Sequence, residues 1–529
     1  MTDDVYKFQG QTFKPSLLPR FSCNFIQAYE SRSKISSETW ISVFEKETEH
    51  HKTFSEFDLD VRKAQAYIAD VAKDSAIICT IGFNSYLHAV FITATLLCQK
   101  TLFLLNPNEN HDFYLKQIEQ LDKESFTFYD PLLNISIENS RPFLLQETVK
   151  LSSPPVCDNI WRTDFIYVNT SGSTGQSKIV RQSEAAVMSN VAALSEVHQL
   201  NHKSSIATCL PLFHVNALEF SFLCSLLNSS RLLLFDETFL SQVPKKIQHY
   251  GAEIISLTPH ILRVFAQTPN LISKYFAEIK YFVSAASALS SELANEIWRQ
   301  GNKKIIQGYG LSEAVNFSCL VPPRISDTDY RILVLESKIP SIGSPLWGNE
   351  VEILDDNSVQ LGPDQSGEIA IHGFTIMQSY IGKAAPTQFL RTGDVGFYKI
   401  LNNQRYFFIQ GRKKDVAKRL GESIPLRDLD DQILNLGYQF DLVTIAFPHE
   451  KNGEEIGLIC AHEPLSKEQA HQFETQLLKI PFYKRPKVVL FRPGISLRTS
   501  SGKPQRWKQI QEFRLYYSRS FSNLKVCVE

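Results

Sequence analysis

Short, wholly apolar runs separated by helix-length stretches constrain this chain most. "AIICTIG" (Ala76–Gly82), "TLFLLNP" (Thr101–Pro107), "RLLLFD" (Arg231–Asp236) and "AEIISLTP" (Ala252–Pro259) are each strand-sized, and most end on a turn residue. Between the first two, "YLHAVFITATLLC" (Tyr86–Cys98) has the length and apolarity of a buried helix. Strands alternating with helices predict an α/β fold. From about Ile342 the texture changes to strands with turn residues, as in "VEILDDNSVQLGPDQSGEIAIHG". The passage "YFFIQGRKKDVAKRLGESI" (Tyr406–Ile424) then leads into a last region of short helices and strands. Glycine and charge cluster after a strand at Gly411–Lys414, so the expected domains are residues 1–411 and 412–529. A length of 529 residues allows such a division, since domains commonly hold 100–200 residues.

Charge excludes one class of function. The formal net charge is −1, with Lys and Arg balanced by Asp and Glu, so no general nucleic-acid-binding field is expected. Nine cysteines lie scattered without a CxxC pair, which suits reduced thiols better than a disulfide framework or a zinc site. The segment "MTDDVYKFQG" lacks the apolar core of a signal peptide, and the longest apolar stretch, Ala89–Cys98, is too short to span a bilayer. The expectation is a cytoplasmic protein.

Residues 170–178 read "TSGSTGQSK", directly after the apolar "DFIYV". A Walker A loop requires G-x-x-x-x-G-K-[ST] and opens into a helix. Here Ser177 stands where the second glycine would be, and "IVRQ" begins another strand. A strand–loop–strand element can still bind phosphate. Its glycines let backbone N–H groups turn toward an anion, its hydroxyls add donors, and Lys178 adds a charge. A mobile Ser/Gly hairpin is the plainer alternative.

Other stretches are weak alone. "QGYGLSEA" (Gln307–Ala314) sets Tyr309, suited to stacking on a base, near Glu313, suited to Mg²⁺. "RTGDVGF" (Arg391–Phe397) offers Asp394 to ribose hydroxyls, although Asp beside Gly is ordinary turn chemistry. "GRKKDVAKRLGESI" (Gly411–Ile424) offers Arg412 and a flexible Gly421, and "RTSSGKPQR" (Arg498–Arg506) carries Lys503 after a Ser/Gly loop.

In this order and spacing the stretches are specific. Together with "PLFH" (Pro211–His214), "IGSPLWGNEVEI" (Ile342–Ile353) and "GEIAIHG", they give a chain that resembles the acyl-adenylate-forming superfamily from about Thr53 to Arg506. That superfamily contains acyl- and aryl-CoA synthetases, peptide-synthetase adenylation domains and beetle luciferases. The resemblance implies a large N-terminal domain of α/β subdomains plus a β-subdomain, with a small mobile α+β C-terminal domain. It also implies ATP and Mg²⁺ as cofactors, and coenzyme A or a carrier-protein phosphopantetheine as acceptor.

Roles follow by the same resemblance. Thr170, Ser171, Gly172, Ser173, Thr174, Gly175 and Lys178 would grip the β- and γ-phosphates. Gly308, Tyr309, Gly310 and Ser312 would border the nucleotide, Glu313 would carry Mg²⁺, and Asp394 with Arg412 would hold the ribose. Lys503 would reach the α-phosphate and the substrate carboxylate. A hinge at Lys414 would then withdraw Lys503 and bring the Gly421 loop toward the thiol. The acyl pocket would be drawn from His214, Asn216, Ser284, Ala285, Ala286 and Gly308, with His214 lining the tunnel or gating the thiol.

Departures from the pattern concern the pocket and acceptor. Ala217 stands where relatives place glycine, Ser287–Ala288 where Ala-Pro is usual, Leu426 and Asp428 where Pro and Glu are usual, and Leu497 where Pro is usual. Position 214 holds His rather than the aspartate that pairs an amino-acid ammonium, which favours a fatty or aryl acid. The expected activity is therefore an AMP-forming acid–thiol ligase using coenzyme A. The alternatives are an acyl-AMP ligase that loads a free-standing carrier protein, or a catalytically idle adenylate-binding module.

Overall fold

The computed structural model describes residues 6–8, 11–13, 23–32, 38–45, 48–145, 161–170, 177–236, 239–386, 389–419, 422–434, 436–438, 440–450, 452–498, 504–516 and 525–527. The described chain forms two compact units. One holds the chain up to Thr170, Lys178–Val351 and Ile371–Leu390; the other holds Glu352–Ala370 and the chain from Arg391.

The first unit is built on two large sheets. Strand β1 (Ile77–Ile81) leads through helix α1 (Tyr86–Leu97) to β2 (Thr101–Leu105), which pairs parallel to it. Every residue of both strands is buried, which explains why they read as unbroken apolar runs rather than as alternating patterns. Next come β3 (Ile166–Asn169), parallel to β2, and β4 (Ile179–Gln182), antiparallel to β3. Helix α2 (Glu184–His198) follows, capped by the Ser183 side chain, which accepts from Ala186 N.

The second sheet has nine strands. Its centre includes the parallel strands β5 (Ile254–Leu257), β6 (Tyr281–Ser284) and β7 (Lys304–Gly310), with β8 (Phe317–Leu320) antiparallel to β7. The two-residue strand β9 (Ser379–Tyr380) returns to the first sheet, where Tyr380 pairs with Val180. No helix among the described residues is long and apolar enough to cross a membrane.

In the second unit, β10 (Leu390–Leu401) and β11 (Gln404–Arg412) form an antiparallel pair in a four-stranded sheet. After a turn at Lys413–Asp415, helix α3 (Leu426–Leu434) and β12 (Leu442–His449) belong to an α+β assembly around a six-stranded sheet. The strands anticipated at Ala76–Gly82, Thr101–Pro107, Arg231–Asp236 and Ala252–Pro259 all form, as does the buried helix between the first two.

A π-helix spans Asn216–Leu223 and is buried throughout. Its Glu219 is fully buried and neither carboxylate oxygen has a hydrogen-bond partner among the described residues. Burial raises its carboxyl well above the usual value of 4.5 by disfavouring the charged form. Stability from such a group is complete below the unfolded pKa and is lost as pH rises above it. Glu219→Gln is therefore expected to melt above the parent by a margin that widens as pH rises above about 5. Thermal unfolding across that range checks this, and a pH-independent difference would show that Glu219 does not titrate on unfolding.

Candidate active site

The "TSGSTGQSK" segment joins two antiparallel strands, as its flanking sequence predicts. Thr170 N donates to Lys178 O at 2.9 Å and closes the base of a β3–β4 hairpin. Ser171, Gly172, Ser173, Thr174 and Gly175 lie outside the described residues, as do Gly421 and Lys503.

Lys178 and Glu313 meet at a residue that no motif identified. The Lys178 ammonium lies 4.9 Å from the centre of the Tyr380 ring, and the Tyr380 hydroxyl donates to Glu313 Oε1 at 2.8 Å. Burial and the Glu313 carboxylate push the Tyr380 phenol up, so it remains a donor. One aromatic side chain thus presents its π face to the cation and its hydroxyl to the carboxylate. Pairing of β9 with β4 places it there.

Glu313 is held by its neighbours. It occupies a short turn, Ser312–Ala314, just after β7. Gln182 Nε2 donates to Ser312 O at 3.0 Å and to Val315 O at 3.2 Å, while Met377 N donates to Glu313 O at 2.8 Å. Val315 has φ 66° and ψ −72°, an uncommon state for a β-branched residue, and Asn316 N donates to Ala314 O across it. A buried residue forced into that conformation stores strain beside a candidate metal ligand. Gly310 explains part of the motif, because a Cβ there would stand 1.4 Å from Asn316 O.

The acyl-pocket candidates divide between places. His214 packs on Phe213 with ring centres 4.4 Å apart. Asn216 is 7% exposed, its Oδ1 accepts from Ser256 Oγ at 3.1 Å, and its Nδ2 has no partner among the described residues. Ser284 lies beside Gln307 across β6 and β7, both buried, with Ala285 buried next to it and Ala286 exposed at φ 68°. Gly308 faces Phe317, whose ring would stand 2.5 Å from an added Cβ. Ser256 and Ser284 occupy register positions whose side chains leave opposite faces of the sheet, so Asn216 and Ser284 do not share one face. Tyr309 is buried.

The second unit presents its own pair. Asp394 stands opposite Arg412 across β10 and β11, with Arg412 Nε 3.0 Å from Asp394 Oδ1. Asp394 is buried, and its backbone N–H donates to Thr392 Oγ1 at 3.1 Å. "RTGD" is thus strand rather than turn. Lys414 lies in the turn after Arg412.

The segment carrying Lys503 is anchored on both sides. Arg498 Nε is 2.7 Å from Asp441, and Arg506 Nη2 is 2.7 Å from Asp430. Gln505 also binds back to Leu497 O and Arg498 O.

A family model described as AMP-binding enzyme matches residues 48–381, well over half of the chain. The chain belongs to the AMP-binding enzyme family. It is 24% identical over 457 residues to the 2-succinylbenzoate–CoA ligase of Lactococcus lactis, covering 85% of this chain and 94% of that one. It is 26% identical over 352 residues to 4-coumarate:CoA ligase 1 of Petunia hybrida, covering 63% of this chain and 62% of the relative. Among solved structures, o-succinylbenzoate CoA synthetase from Bacillus subtilis in complex with the acyl-adenylate intermediate OSB-AMP superimposes with TM-score 0.77 at 19% identity, covering 94% and 99% of the two chains. McyG A-PCP complexed with phenylalanyl-adenylate gives 0.81 at 17% identity, covering 94% and 85%. These likenesses establish the fold: α/β, with a large N-terminal and a smaller C-terminal domain.

Proposed function

We propose that this AMP-binding enzyme joins a carboxylic acid to coenzyme A in two steps. A carboxylate oxygen attacks the α-phosphorus of ATP and pyrophosphate leaves, giving an acyl-adenylate. The thiolate then attacks the acyl carbon and AMP departs with the bonding electrons. The observation that carries this reading is the convergence of Lys178 and Glu313 on Tyr380 at the root of the Thr170–Lys178 hairpin. It sets a cation for phosphate beside a carboxylate for a divalent ion.

Glu313 fits Mg²⁺ in the way that ion is commonly held. Among the described residues no group of three or more His, Cys, Asp or Glu could ligate a metal alone, and Mg²⁺ usually takes one or two carboxylates with phosphate oxygens and water. Mg²⁺ so held supplies charge neutralisation on the departing pyrophosphate. Thr170 and Lys178 would hold phosphate oxygens, and Asp394 the ribose hydroxyls with Arg412 beside it. Lys503 would place a cation between the two reacting anions.

The relatives' names specify 2-succinylbenzoate and 4-coumarate, both aromatic acids, which supports an aryl substrate over a plain fatty one. Asn216 adds a preference. Its buried Nδ2 has no partner among the described residues, and an unpaired amide donor costs roughly 1–3 kcal/mol, so acids with an oxygen in the tail should outperform their apolar isosteres. Pyrophosphate release over fatty, aryl and amino acids tests the activity. The expected result is acid-dependent release with aryl or fatty acids and thioester with coenzyme A. Release without thioester, with acyl transfer to a holo-carrier protein instead, would move the acceptor; no release with any acid would refute the function. A cytoplasmic location completes this reading.

The hinge is proposed at Lys414. Proline fixes φ near −65° and removes an N–H, so Lys414→Pro should trap one arrangement of the C-terminal domain. Single-turnover pyrophosphate release should survive better than acyl transfer from isolated adenylate to coenzyme A. Normal rates for both would place the hinge elsewhere.

A further inference from the structure

Glu313 follows the carboxyl end of β7; the amino ends of the same strands border a separate cleft of about 670 Å³. Ile254, Tyr281 and Lys304, the first residues of β5, β6 and β7, line it. The turn after α2 closes one side with Asn201 and Lys203, and Pro323, Arg324 and Asp327 close another. The volume lies within the roughly 300–1,000 Å³ usual for small-molecule sites.

The charges in this cleft do not balance. Lys203, Lys280, Lys304 and Arg324 face only two carboxylates, Glu253 and Asp327. Lys280 pairs with Glu253 at 2.8 Å, and Lys304 pairs with Asp327 at 2.8 Å. Lys203 and Arg324 have no carboxylate partner among the described residues, which leaves an excess of two positive charges around one concavity. Gathering like charges over a low-dielectric wall raises a positive potential, and a cleft focuses it.

The wall behind these cations is built rather than incidental. Tyr281 and His198 are both at least nine-tenths buried, and His198 Nδ1 lies 2.9 Å from the Tyr281 hydroxyl. His198 Nε2 has no hydrogen-bond partner among the described residues. The charges of Glu253 and, more weakly, Arg324 both reach the Tyr281 hydroxyl. A buried polar pair therefore backs two uncompensated cations carried by separate loops, and none of these residues belongs to the candidate catalytic constellation.

We propose that this cleft binds a small dianion, an organic phosphate or a dicarboxylate, between Lys203 and Arg324 against the Tyr281–His198 wall. Two negative charges match the excess, and a cleft of this size takes more than a bare ion.

Isothermal titration of the full chain with inorganic phosphate and with malonate tests the site, using the parent, Lys203→Ala/Arg324→Ala and Lys178→Ala. The expected result is saturable binding of at least one probe to the parent and to Lys178→Ala. The double variant should bind at least about tenfold more weakly, a loss of 1.4 kcal/mol. Acid-dependent pyrophosphate release measured without either probe should be unchanged in the double variant, since both residues are exposed and remote from Glu313 along the strands. Phosphate binding alone would assign the phosphate class, and malonate binding alone the dicarboxylate class. Equal affinity in parent and double variant, no saturable binding of either probe, or loss of binding in Lys178→Ala would each overturn the proposal.

Discussion

Lys503→Ala is expected to slow acyl-adenylate formation by at least about a hundred- to a thousandfold, the usual effect of removing one preorganised donor to a developing charge. Adenylation brings a carboxylate against a triphosphate, and anion–anion repulsion is a large part of that barrier. Lys503 is the cation that the "RTSSGK" motif offers for it. The chain on either side is fixed, by Arg498 on Asp441 and by Arg506 on Asp430, so the lysine segment springs from two anchored points. Acyl transfer from a supplied acyl-adenylate has no such repulsion to overcome and should change only a few-fold. Measuring pyrophosphate release in one turnover, then thioester formation from isolated adenylate, separates the steps. Equal loss in both would mean that Lys503 supports the fold or the thiol step rather than adenylation.

What the sequence made legible was local. Runs such as "IICTI" and "TLFLL" are buried on both faces, so apolarity without alternation marked them as strands. The β-branched "IVRQ" after Lys178 made a hairpin readable where a phosphate loop leading into a helix would not fit. Tyr380 was not legible. It stands in "QSYIG", far along the chain from Lys178 and Glu313, and only the pairing of β9 with β4 brings it to them.

The strand through Asp394 was not legible either, because Gly and Asp are turn formers. Here Gly393 has φ 73°, and the register shifts between Val395 and Gly396, so the strand bends without ending. Glu219 in "NALEFSFL" would be assigned to an exposed helix face as the only charge in an apolar run. The π-helix that forms there is buried on every side, so Glu219 has no exposed face to occupy.

Asp430→Ala is expected to cost about 3–5 kcal/mol, the usual penalty for leaving one member of a buried ion pair without its partner. Asp430 and Arg506 are both nearly inaccessible, and their contact joins three elements. Asp430 on α3 accepts from Thr444 N at 2.6 Å on β12 and from Arg506 Nη2, while Arg506 Nη1 donates to Thr444 O at 2.6 Å. Removing the carboxylate leaves the Thr444 N–H without its acceptor and leaves the guanidinium with Thr444 O and the more distant Asp415, 3.9 Å from its Nε. The variant should lose stability in the second unit first, seen as a separate early transition in denaturant. A buried ion pair replaced on both sides by apolar residues is often neutral, so Asp430→Leu/Arg506→Met should recover most of the lost stability. If the pair also fixes the start point of the Lys503 segment, adenylation in that double variant stays slow although the fold has recovered. Recovery of both stability and adenylation would show that the pair serves folding alone, and an unchanged denaturation profile in Asp430→Ala would show that Arg506 finds solvent at no cost.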